Sequence, residues 1–228
     1  MNKYLPFELH CHTHCSDGAM SPAELIKNAR ERGLAGIAIT DHNTYSAYSK
    51  LQDITQKSDF VLLKGIEWTT FWGHLTAFGA EGIDWRSLHP DNIELMLARA
   101  RQQYALVAIA HPFRLAAPVC SGCRMEYPIA DYCNIAGYEI MSGPFPYKQL
   151  FNANATRHYD SLLAQGYRIA ALYGYDWHTP DKHFCYGATY LPAKNEQQAL
   201  DAIREQNTFV SLGLHLSEIG RASCRERV

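Results

Sequence analysis

Residues 7–11 alternate apolar and polar, and residues 35–40, Ala-Gly-Ile-Ala-Ile-Thr, form a short apolar run that ends in Asp41-His42. Period two predicts a strand with one buried face, and an unbroken short run predicts a strand covered on both faces. Between them, Ser21-Pro22-Ala23-Glu24 places a capping hydroxyl, a proline in the first turn and a glutamate at the third position. That spacing predicts a helix start, with the helix running to about Arg32 and stopped by Gly33. The alternation continues with a helix over 46–57, strands over 60–67 and 74–79, a helix over 92–104 and a strand over 106–110. After a looser stretch at 113–134, the pattern predicts strand 138–141, helix 149–165, strands 168–173 and 186–191, helix 196–206 and strand 209–212. No internal repeat is present.

Repeated βα units whose strands end in histidine or aspartate predict an α/β fold, a parallel TIM-like barrel with its active site at the C-terminal rim of the strands. A doubly wound open sheet would need a glycine-rich phosphate loop after an early strand, and the sequence has none. The 228 residues suit one domain, assigned to 1–218. Residues 219–228, Ile-Gly-Arg-Ala-Ser-Cys-Arg-Glu-Arg-Val, read as a translated sequencing adapter, so a native chain that continues beyond Glu218 is expected.

Composition narrows the function classes. A 47% hydrophobic share argues against disorder, and no apolar stretch is long enough for a bilayer. A formal net charge of −2 gives no bulk attraction to nucleic acid. Seven cysteines without regular spacing, and no apolar secretion signal, make cytoplasm the expected location. Cys120-x-x-Cys123, with Cys133, lacks the second pair that a structural zinc needs, so free loop thiols are expected there.

The chemistry lies in the histidines and acids at strand ends. His10 and His12, two apart on a strand, point the same way and can reach one metal from one face. Asp17 follows in a Ser-Asp-Gly turn, Asp41-His42 closes the next strand, and Glu67 ends the third. His74, His111 and the pair Asp176 and His178 come from later segments. A barrel assembles a polynuclear site in this way, from residues far apart in sequence. Mixed imidazole and carboxylate ligands suit zinc, manganese or iron better than calcium. Arg114, Lys182 and His183 are candidate contacts to a substrate phosphate, weighed against solvated loop charges. His89, His158 and His215 read as surface or structural histidines, and Trp68, Phe71 and Trp72 as packing rather than as pocket walls.

In order and spacing, His10-x-His12 with Ser16-Asp17-Gly18, Ile39-Thr40-Asp41-His42, Gly65-Ile66-Glu67, Ala110-His111-Pro112 and Asp176-x-His178 resemble the motifs of the PHP (polymerase and histidinol phosphatase) superfamily. Asn154-Ala155-Thr156, Tyr159 to Leu163 and Gly166-Tyr167-Arg168 are similar to its CehA/McbA metallohydrolase branch. The resemblance implies a distorted barrel of about seven strands and two or three divalent ions. It implies that His10, His12, Glu67 and Asp176 surround one ion, and that Glu67 bridges to a second held by His74 and His111. Asp17, His42 and His178 would hold the third. Tyr175 departs from the family pattern, which usually has a small residue before this aspartate. The implied activity is hydrolysis by metal-activated water, with Glu67, Asp176 and His178 as catalytic candidates. A small phosphate ester, a nucleotide or an oligonucleotide end is the leading substrate. A carbamate or carboxylic ester is the alternative, and a non-catalytic metal-binding module ranks third.

Overall fold

The computed structural model describes residues 3–51, 59–116, 118, 120–180 and 187–213. Nine strands form one sheet in the order β7-β6-β5-β4-β3-β2-β1-β8-β9. Their ranges are β1 Leu5–Cys11, β2 Gly36–Ile39, β3 Val61–Thr70, β4 Gly73–Phe78, β5 Leu106–Ile109, β6 Gly137–Ser142, β7 Ala170–Gly174, β8 Gly187–Leu191 and β9 Phe209–Leu212. From the pairing directions, β1, β2, β3, β5, β6, β7 and β9 run one way, and β4 and β8 run against them. The α/β barrel expected from the sequence is therefore present, with two reversed strands.

The reversal at β4 follows from the short turn between Thr70 and Gly73, which leaves no length for a crossover helix and returns the chain as a hairpin. The sheet curls until the end of β7 meets β1. Trp177 N–H donates to His10 C=O at 3.0 Å, and His12 N–H donates to Trp177 C=O at 2.9 Å, which nearly closes the barrel.

Helices α1 Pro22–Glu31, α3 Ile93–Gln102, α4 Leu150–Ala164 and α5 Glu196–Arg204 match their expected positions. Helix α2 covers only Ser46–Ser49, and residues 52–58 of the longer helix expected there lie outside the described residues. The capping box of α1 forms: Glu24 N–H donates to Ser21 Oγ, and Ser21 N–H donates back to Glu24 Oε2. Leu25, Ile26 and Ala29 of α1 bury against Ile37 and Ile39 of β2. Each large side chain buried there contributes on the order of 1.5–3 kcal/mol.

The barrel wall thus has two chemistries, set by strand periodicity. Along β1, Phe7, Leu9 and Cys11 belong to apolar clusters, whereas Glu8, His10 and then His12 lie on the other face, all buried.

Candidate metal centre

The C-terminal ends of β1, β2, β3, β5 and β7 converge, and with them every candidate ligand. One nitrogen or oxygen from each of His12, Asp17, His42 and His178 lies within 4.8 Å of the others, as do those of His10, His12 and Glu67 and those of Glu67, His74 and His111. His12 and Glu67 each belong to two groups, so the three are contiguous. Asp176 Oδ1 joins them, 3.1 Å from His12 Nε2 and 3.4 Å from His10 Nε2.

Three imidazoles reveal their protonation through their partners. His10 Nδ1 lies 2.6 Å from a Glu139 carboxylate oxygen, His111 Nδ1 lies 3.0 Å from Cys123 C=O, and His178 Nδ1 lies 2.9 Å from Asp176 C=O. An oxygen acceptor requires N–H at Nδ1, so each neutral ring keeps its lone pair on Nε2. Those Nε2 atoms face the cluster: His10 and His111 each lie 3.3 Å from Glu67 Oε1, and His178 lies 3.2 Å from Asp17 Oδ1.

Close approach without bonding is the second feature. His10 Nε2, both ring nitrogens of His12, Glu67 Oε2 and His74 Nε2 are buried and have no hydrogen-bond partner. Buried polar atoms left unpaired are costly, and lone pairs aimed at a common point fit divalent cations. The donor set of imidazoles and carboxylates therefore fits the implied metals.

Without a cation, protonated imidazoles supply the positive charge that these acids need, a role that a bound divalent ion would take over. Burial by itself would raise the Glu67 carboxyl, but His10, His111 and His42 around it hold it well below the usual carboxylate range. Asp176 is likewise raised by burial and held well below that range by His10, His12 and His111. Both acids are thus ionised at neutral pH. The backbone is strained at two of these positions, with φ of 25° at His111 and 56° at Asp176. Side chains rarely adopt such values, and strain of this kind concentrates at functional sites.

A family model of the PHP domain matches residues 8–165. The chain belongs to the PHP domain family. A 5'-3' exoribonuclease of Haemophilus influenzae is 33% identical over 66 residues, 29% of this chain and 24% of that protein. A 3',5'-nucleoside bisphosphate phosphatase of Chromobacterium violaceum is 33% identical over 78 residues, 34% of this chain and 27% of that protein. The matched part thus spans about a quarter of each of these relatives. Among solved structures, a two-domain protein of Bacteroides vulgatus, described as containing a predicted PHP-like metal-dependent phosphoesterase, superposes with a TM-score of 0.66. It shares 18% identity, and the match covers 92% of this chain and 65% of that one, a likeness of fold.

In this PHP domain the site includes residues that the sequence reading passed over. Glu139 on β6 accepts from His10 Nδ1 and, through its other oxygen, from His111 N–H at 2.7 Å, so one carboxylate orients two candidate ligands. Gly174 leaves room for it, since a Cβ there would lie 2.2 Å from Glu139 Oε1. Glu8 accepts from the backbone N–H of His10 and of Tyr175, and burial pushes its carboxyl up to about 8. Asp41 turns away from the cluster and binds Thr13 N–H, Thr13 Oγ and Ser16 Oγ. The signals were available: Glu8 is in step with His10 and His12, and Glu139 is a lone acid within an apolar strand.

Three expectations need correction. Arg114 is no free loop charge, because its guanidinium pairs with Asp176 Oδ2 at the site. Cys120 and Cys123 are not free thiols: a turn sets their Cα atoms 5.5 Å apart and they form a disulfide, while Cys133 stays free and exposed. Among the aromatics, Trp68 is core and Trp72 packs against it, but Phe71 is 66% exposed at the hairpin tip. His158 is structural, hydrogen-bonded to the Tyr138 hydroxyl, and His89 is at the surface. Lys182, His183 and His215 lie outside the described residues. Among the described residues, no helix is long and apolar enough to cross a membrane.

Proposed function

We propose that this PHP domain is a metal-dependent phosphoesterase that hydrolyses a phosphate ester of a nucleotide or an oligonucleotide end. The observation that carries the reading is the set of Nε2 lone pairs of His10, His111 and His178, each locked by an Nδ1–H bond and turned toward ionised carboxylates.

His10, His12, Glu67 and Asp176 would hold one divalent ion, Glu67, His74 and His111 a second, and Asp17, His42 and His178 a third. Manganese, zinc or iron in these positions would supply a water activated at neutral pH and neutralise charge on the phosphoryl oxygens. The protein's own part is orientation. Glu139 fixes the rings of His10 and the backbone of His111, and burial of Glu67 excludes water from the cluster floor. Asp176 holds one oxygen toward His10 and His12 and the other toward Arg114, whose partly exposed guanidinium offers further N–H donors at the mouth. Those remaining donors suit the oxygens of a phosphoryl group. The similarity to an exoribonuclease and a bisphosphate phosphatase supports nucleotide chemistry.

The test is a substrate panel with manganese, zinc or iron: p-nitrophenyl phosphate, a bis-phosphodiester and a carbamate ester. Phosphate release that falls by orders of magnitude in Glu67→Ala and Asp176→Ala is expected. Turnover of the carbamate alone would overturn the phosphoesterase reading.

A further inference from the structure

The Cys120–Cys123 pair lies outside the proposed ligand set yet touches it. Cys123 C=O is the acceptor that locks His111, and the turn between the cysteines rests directly on the β3–β4 hairpin. At Gly122, with φ of 72°, a Cβ would lie 1.9 Å from Thr70 C=O and 3.3 Å from His74 Nε2. The base of this loop is tied to the segment after His111, with Met125 N–H donating to Pro112 C=O at 2.9 Å and Arg124 bridged to Phe113. The disulfide thus closes the turn that braces both His74 and His111.

We propose that Cys120–Cys123 is a thiol-exchangeable disulfide whose closure holds His111 in place and so sets the metal affinity of the group formed by Glu67, His74 and His111. The inference rests on the metal-centre reading above. The reductant is a small-molecule thiol. Its thiolate attacks the sulfur of Cys120, which is partly exposed, whereas Cys123 is buried. The new bond joins thiol and Cys120 sulfur, the Cys120–Cys123 bond breaks, and Cys123 leaves as a thiolate. A second thiolate then attacks the mixed disulfide, releasing Cys120 as a thiolate and the external disulfide. Two external thiols are oxidised, the protein disulfide is reduced by two electrons, and the cysteine thiolates take protons from water. Reoxidation by the external disulfide reverses each step.

Opening the bond returns torsional freedom to the 120–123 turn, and the carbonyl that orients His111 moves with it. Loss of an orienting partner of this kind weakens metal binding by roughly tenfold to a hundredfold.

The experiment places the whole protein in reduced or oxidised glutathione. In metal-free protein, amide hydrogen exchange over residues 111–125 should quicken on reduction, and manganese titration should show one class of site weakened by at least about tenfold. Both changes should reverse in oxidised glutathione and persist in Cys133→Ser, which removes the exposed free thiol found among the described residues. Cys120→Ser/Cys123→Ser should match the reduced protein and ignore glutathione. The wild-type comparison needs no variant, so a double variant that fails to fold leaves the test intact. Equal exchange and equal manganese affinity in the two redox states would overturn the proposal, as would a folded double variant that still responds. If exchange responds while Glu67→Ala binds manganese as tightly as wild type, the staple is supported and the metal-centre reading alone fails.

Discussion

The two faces of β1 obey opposite rules. On one, Phe7, Leu9 and Cys11 fill apolar clusters shared with neighbouring strands and helices, where shape and area stabilise the fold. On the other, Glu8, His10 and His12 are equally buried, but their polar atoms are either locked by Glu139 and backbone N–H groups or left without partners. Burial therefore means different things a single residue apart. The apolar face contributes stability, and the polar face holds costly groups in fixed positions for a ligand to satisfy.

Substitutions should separate the two faces. On the polar side, Glu67→Ala should lower phosphate-ester turnover on the order of a thousandfold, comparable to the loss of one preorganised group that stabilises a transition state. Circular dichroism should show the fold retained. On the apolar side, Leu25→Ala should cost about 2–5 kcal/mol in denaturant unfolding, while turnover per folded molecule stays at the wild-type level. If Leu25→Ala instead abolished turnover in fully folded protein, the two faces would not be independent. Glu139→Gln sharpens the comparison because it keeps shape and removes charge. Manganese affinity should fall about tenfold to a hundredfold with little change in unfolding midpoint.

Smaller effects are expected away from the barrel interior. Ser21→Ala removes the cap of α1 and should cost about 1 kcal/mol, read by thermal unfolding, with no change in metal binding. His158 is held below the usual histidine range by burial, so the folded state favours its neutral form. The unfolded chain then binds the proton more readily, and the stability from His158 is present above its unfolded value and lost as pH falls below it. The drop in thermal midpoint between pH 7.5 and 5.5 should therefore shrink in His158→Gln. An unchanged drop would assign the acid sensitivity to other groups.

Much of the candidate site was legible because most of its residues lie in or beside strands that have clear local patterns. Period two placed His10 and His12 together, and the apolar run at 35–40 placed Asp41-His42 at a strand end. Local patterns do not name partners, however. Asp41 and His42 are adjacent, yet only His42 faces Glu67, 2.8 Å away, while Asp41 serves the Thr13 turn. Glu139 is 129 residues from His10, and no spacing rule connects them.

By itself the sequence determined which histidines and acids were candidates for the site, where most strands and helices form, and which family of barrels they build, because hydrophobic periodicity and side-chain chemistry are local properties. Only the tertiary structure decided that β4 turns back as a hairpin, that Arg114 pairs with Asp176, and that the Cys120–Cys123 turn leans on His74 and His111. Those outcomes depend on which surfaces meet when the sheet curls closed, and contacts between distant segments are chosen by packing of the whole barrel rather than by any stretch of chain.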